Sequence, residues 1–195
     1  VQLWLALPET SRHTDPRFEH YAPEPVRGGG WDLRVFLGEL AGSASPVRVH
    51  SPILGAEICL EPGAVLELDA DPRFEYGLLA DTGELRFQGT GVVPGELAYV
   101  PTGNTTLRIS ASADAAVRAV LIGGEPLGET IVMWWNFIGR SHEEIVKYRR
   151  DWQQHIGAES HPGADPADRF AVVPNDPLPP LPAPDLPNAR LRPRS

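Results

Sequence analysis

The chain has 195 residues, 42% of them apolar, enough to bury the core of one or two domains. Its net charge of −9 argues against a nucleic-acid partner, which needs a basic face, and its single cysteine, Cys59, excludes a disulfide framework or a cysteine-based zinc knuckle. With 19 glycines and 21 prolines the chain is too heavily punctuated for a helical bundle, and no apolar run approaches the roughly 20 residues of a membrane helix.

Residues 1–7 read as a strand closed by Pro8, followed to residue 30 by a loop rich in Pro, His and Gly. The strand is already under way at Val1, with no initiator methionine, basic leader or small-residue cleavage site. The chain is therefore expected to be a piece of a longer, cytoplasmic protein rather than one opening on a signal peptide. Strand signals then follow one another at 31–40, 53–60, 65–68, 74–79, 85–88, 97–100, 105–111 and 116–122. Asp81-Thr82-Gly83-Glu84 reads as a hairpin turn. Turn spacings of this kind mark an antiparallel barrel or sandwich.

One helix is predicted, opening at Ser141 with Glu144 three residues on as a capping box and stopped by Gly157. Ile145, Tyr148, Trp152 and Ile156 give it an apolar face, and Glu143 with Lys147 forms an i,i+4 pair. The last 39 residues carry ten of the prolines, and the stretch from Pro177 to Pro187 favours an extended polyproline conformation. It is either a ligand for a proline-recognition module or, as favoured here, a tail laid over the surface by Leu178, Leu181 and Leu186.

The stretch with most chemistry in its spacing runs from Gly95 through Pro101 to Gly103, the second half of a cupin motif. In metal-binding cupins a histidine follows at the position held here by Thr106. Upstream, Pro62-Gly63 supplies the turn that precedes the other ligands, and Asp69, Asp71 and Glu75 stand where His-x-His and Glu would be. A period of two puts Asp69 and Asp71 on one side of an extended segment. Carboxylates suit hard ions, whereas non-haem iron takes two histidines with one carboxylate. Crowded carboxylates also repel one another inside a barrel. The expectation is no metal: Asp71 heads a turn with Arg73, and the other acids are solvated or paired with Arg73 or Arg86. Six histidines show no ligand spacing, and His50-Ser51 lacks a nucleophile elbow. Cys59 reads as inert core, and Trp134-Trp135 with Phe137 as aromatic packing. No catalytic and no cofactor-binding residue is assigned.

The motifs together resemble the C-terminal half of a pirin. The resemblance rests on four segments: the opening Val1-Gln2-Leu3-Trp4-Leu5-Ala6-Leu7-Pro8; Pro52-Ile53-Leu54-Gly55-Ala56-Glu57; Gly123-Gly124-Glu125-Pro126-Leu127-Gly128-Glu129; and Arg140-Ser141-His142-Glu143-Glu144-Ile145. One departure stands out: Trp134-Trp135-Asn136-Phe137 replaces a Gly-Pro-Phe segment frequent in the family. The resemblance implies a bicupin whose single metal, iron or another divalent ion, is held by three histidines and a glutamate in an N-terminal cupin. Those ligands would lie before Val1. The C-terminal cupin is metal-free in the family, in keeping with Asp69, Asp71 and Thr106 at the degenerate positions.

The expected fold is mainly β, a cupin-type antiparallel barrel or jelly roll with one C-terminal helix and a Pro-rich extended tail. Residues 1–30 form an inter-domain strand and loop, 31–125 the barrel, 126–156 an aromatic segment and the helix, and 157–195 the tail. By resemblance the parent is a non-haem iron dioxygenase or oxidase acting on flavonols such as quercetin, with this chain alone inactive. The alternative is a metal-dependent regulatory or scaffold protein of the transcription co-regulator type. The expected partners are the missing N-terminal cupin and a protein surface, with neither nucleic acid nor membrane.

Overall fold

A computed structural model describes residues 1–160, 170 and 175–193. His161 and the parts of the predicted tail at 161–169, 171–174 and 194–195 lie outside the described residues. The chain divides into two units, residues 17–127 and residues 1–16 with 128–195.

The first unit carries twelve strands: β1 Val26–Gly28, β2 Trp31–Leu37, β3 Glu39–Leu40, β4 Ser43–Ala44, β5 Ile53–Leu60 and β6 Val65–Asp69. There follow β7 Glu75–Thr82, β8 Leu85–Phe87, β9 Thr90–Val92, β10 Leu97–Val100, β11 Thr106–Ala111 and β12 Val117–Gly124. They build a six-stranded sheet, β1-β2-β5-β12-β7-β10, and a four-stranded sheet, β6-β11-β8-β9, with β3 and β4 as a small hairpin. Every pairing is antiparallel. The inner faces share one apolar core, in which Leu33, Ala56, Ile58, Leu78 and Leu121 oppose Leu66, Phe87, Leu107 and Ile109. The result is the jelly roll of a cupin. No ladder joins its two sheets, so of the barrel or sandwich that the turn spacing suggests it takes the sandwich form.

Alternation sets the facing of each strand. On β6, Leu66 and Leu68 are buried whereas Val65, Glu67 and Asp69 are exposed. The ladder to β11 runs through even-numbered residues, because Ala70 N–H donates to Thr105 O and Ala111 N–H donates to Ala64 O. The backbone groups of Val65, Glu67 and Asp69 therefore point along a free edge of the sheet. Gly83 turns β7 into β8 at φ +73°, where the predicted hairpin turn falls.

The second unit holds a hairpin, β13 Val132–Trp134 with β14 Phe137–Gly139, and the helix α1 His142–His155. The helix opens at Ser141, whose Oγ accepts the Glu144 N–H at 3.2 Å, and ends before Gly157 at φ +71°. Half of the predicted capping box is replaced: Glu144 turns its carboxylate to the Arg140 N–H at 2.7 Å rather than back to Ser141. The expected Glu143–Lys147 pair is also replaced, since Glu143 meets Arg190 and Lys147 meets the buried Asp151. Residues 1–7 form no strand, in contrast to the alternation read there.

The tail lies along α1, held by Leu186 as expected but not by Leu178 or Leu181. Leu178 and Leu181 are each 73% exposed, whereas Ala183 is 4% exposed and Leu186 and Leu191 are half-buried. Helix side chains meet the tail's backbone at Leu181, Ala183 and Pro184, and this brings the small Ala183 against α1.

Candidate functional site

The inward positions of the jelly roll are where a cupin would present its ligands. Those of β6 and β11 are Leu66, Leu68, Leu107 and Ile109, from 0% to 5% exposed. Among the described residues the only buried polar side chains are Asp151 and Gln153, both on α1 and outside this unit.

The four residues singled out by spacing do not converge on the interior. Asp69 and Thr106 are direct cross-strand partners on the exposed side of the four-stranded sheet. Asp71 has left the strand. Its carboxylate accepts the Arg73 N–H at 2.9 Å and the Arg73 guanidinium at 2.6 Å, the turn that the sequence suggested. Arg73 holds the Asp71 carboxyl below the usual range, chiefly through that side-chain hydrogen bond. Glu75 accepts a hydrogen bond from the Tyr99 hydroxyl at 2.8 Å, which pushes the phenol pKa up. Asp69 and Thr106 face away from the core, because a period of two fixes which residues share a side but not which side is inside.

Asp69 and Asp71 do border an open groove of about 830 Å³. Its walls are Trp31, Leu40, Val47, Val49, Phe74 and Tyr76, and its remaining acids are Glu39 and Glu67. Tyr76 is locked in place: its hydroxyl accepts the Asp71 N–H at 2.8 Å, and burial pushes its pKa up. Glu67 pairs with Arg108 of β11 and Glu57 with Arg118 of β12, rather than with Arg73 or Arg86. Arg86 donates instead to the Gly89 carbonyl. Cys59 is half-buried rather than core, opposite Asp32 and Arg118 on the neighbouring strands, and burial raises its thiol pKa. Among the described residues, no three His, Cys, Asp or Glu side chains are grouped to hold a metal ion, and no helix is long and apolar enough to cross a membrane.

Sequence reasoning missed the ion-pair network of the second unit. Arg12 grips both oxygens of Glu144, and Arg140 donates to Glu129 at 2.6 Å and to the Leu7 carbonyl at 2.7 Å. Glu129 also accepts the Glu9 N–H at 3.0 Å. All of these contacts except Arg140–Glu129 join residues more than a hundred positions apart, beyond any local spacing rule.

A model of the pirin C-terminal cupin domain matches residues 55–156. A Pseudomonas aeruginosa protein provisionally named a quercetin 2,3-dioxygenase is 39% identical over 79% of this chain and 49% of its own length. A pirin-like protein of Caulobacter vibrioides is 31% identical over 78% of this chain and 53% of its own length. The crystal structure of a quercetin 2,3-dioxygenase from Acinetobacter baumannii superposes with a TM-score of 0.81 at 31% identity, covering 95% of this chain and 58% of that one. The chain thus spans about half the length of the curated relatives it matches.

Proposed function

The chain belongs to the pirin family, and we propose that its jelly roll is a metal-free cupin supporting a second, metal-binding cupin domain in the cytoplasm. The observation that carries this reading is the aliphatic interior. Non-haem iron requires imidazole and carboxylate donors aimed at one point. The positions available for them hold Leu66, Leu68, Leu107 and Ile109. Asp71 and Glu75 are already engaged with Arg73 and Tyr99. These residues do not fit an iron centre, and no chemical step is assigned to them.

The activity of the two-cupin protein is proposed as dioxygenation or oxidation of a flavonol such as quercetin, at a metal held by the partner cupin. Support comes from the names of the Pseudomonas and Acinetobacter relatives, each about twice the length that matches here. This half contributes an unreactive scaffold beside that site.

The test is metal analysis of the purified, tag-free chain with oxygen uptake on quercetin. The chain should hold far less than one equivalent of transition metal after iron loading and consume no oxygen. A form extended to include the metal-binding cupin should turn over and lose turnover on chelation. One equivalent of iron bound through Asp69, Asp71 or Glu75 would overturn the metal-free reading. An extended form saturated with iron but inert toward quercetin would overturn the dioxygenase reading in favour of a metal-dependent regulator acting through protein contacts.

A further inference from the structure

Residues 179–187 carry no helix, strand or turn of their own, and α1 reads their backbone instead. The Trp152 indole N–H donates to the Leu181 carbonyl at 2.9 Å, and the Arg149 Nε–H donates to the Pro184 carbonyl at 2.6 Å. Between them, Gln153 Oε1 accepts the Ala183 N–H at 2.7 Å. Further along, His142 Nδ1 accepts the Leu191 N–H at 3.2 Å, and Glu143 pairs with Arg190.

This face is organised around its occupant. Gln153 is 3% exposed, and its amide Nε2 is fixed by Glu159 at 2.9 Å, which also receives Arg149 at 2.8 Å. Removal of the tail would take the Ala183 donor from Gln153 Oε1 and open the apolar surface under Ala183, Leu186 and Leu191 to water. The face therefore demands an extended chain offering carbonyl, N–H and carbonyl in that order. A polyproline conformation leaves its backbone unpaired and open to such reading. The apolar side-chain contacts of residues 178–191 are made by Ala183, 4% exposed, and by the half-buried Leu186 and Leu191. Leu178 and Leu181 remain in solvent at 73% exposure and contribute little to holding the tail.

We propose that this face of α1 is a receptor for extended proline-rich protein segments, that residues 178–191 occupy it in cis, and that a partner segment with a small residue between prolines replaces them. Attachment to the same chain gives residues 178–191 a high effective concentration at this face. A second copy brings an identical tail and gains nothing over the cis one. A partner whose side chains bury at the positions of Leu178 and Leu181 does gain.

The test uses the full chain and a fluorescent peptide copying residues 176–193. Two variants lift the cis tail: Ala183→Asp, and Leu186→Ala with Leu191→Ala. The peptide should bind each at least tenfold tighter than it binds the unaltered chain. Trp152→Phe, added to either variant, should weaken that binding about tenfold by deleting the indole donor. A peptide carrying Ala183→Asp should not bind. Equal binding by the unaltered chain and both variants overturns the proposal, as does no binding by either variant while α1 amides keep their exchange protection. A tail-exchanged dimer saturating the face at the same concentrations also overturns it, by assigning the face to a second copy.

Discussion

The Arg12 guanidinium lies end-on to the Glu144 carboxylate, with bonds of 2.9 and 2.8 Å joining residues 132 apart in the chain. The pair fastens residues 1–16 to the first turn of α1 inside one unit. Arg12 holds the Glu144 carboxyl below its ordinary range, the side-chain hydrogen bond outweighing burial. A depressed folded pKa stabilises the protein above the unfolded value, about 4.3 for glutamate, and that stability is lost as pH falls through the lower folded value. Glu144→Gln should therefore cost about 1–2 kcal/mol at pH 7 and progressively less on acidification. Thermal unfolding of both proteins at pH 7 and pH 3 measures the difference.

The facing of β6 and β11 predicts opposite outcomes for neighbouring substitutions. Leu107 is fully buried, so Leu107→Ala should destabilise by about 2–5 kcal/mol. Thr106→Ala and Asp69→Asn, on the exposed side, should each stay within about 0.5 kcal/mol. Urea unfolding of the three variants checks this. A large loss at Thr106 would reverse the assignment of faces.

Two glycines in adjacent turns separate conformation from crowding. Gly38 and Gly42 both have positive φ, +69° and +75°. A Cβ on Gly42 meets nothing within 4 Å, whereas one on Gly38 would lie 2.0 Å from the Ile53 carbonyl oxygen. Gly42→Ala should cost only the left-handed backbone, about 1–2 kcal/mol. Gly38→Ala should cost distinctly more, because the β3 hairpin must move off β5. Melting temperatures of the two variants give the comparison directly.

Cys59 should react slowly. Burial, Asp32 and Glu57 keep the thiol protonated, and the thiolate is the reactive form. Labelling by a disulfide reagent at pH 7 should be slower than that of an unfolded control, and Glu57→Gln should speed it modestly.

Long alternating strands were legible in the amino-acid order, as were the hairpin turn at Gly83 and the helix from Ser141, because each depends on neighbours within a few residues. The short β9 and the β13–β14 hairpin were not. The latter turns through Trp135 at φ +48°, a conformation that a tryptophan gives no reason to expect. Pairing partners were legible only when local: Asp71 with Arg73 could be read, Arg12 with Glu144 could not. Hydropathy favoured Leu178 and Leu181 beside Leu186 as tail anchors because they are large, but contact with α1 takes Leu186 and the small Ala183.

Only odd-numbered rungs of β6 are left without partners, and two of those three carry Glu67 and Asp69. An uncovered rung is a template on which another molecule can polymerise, and like charges along it are a natural deterrent. Replacing Glu67 and Asp69 by uncharged residues would lift that deterrent while leaving the template intact, so the double variant should thicken into sheet-rich aggregates sooner than the unaltered protein does.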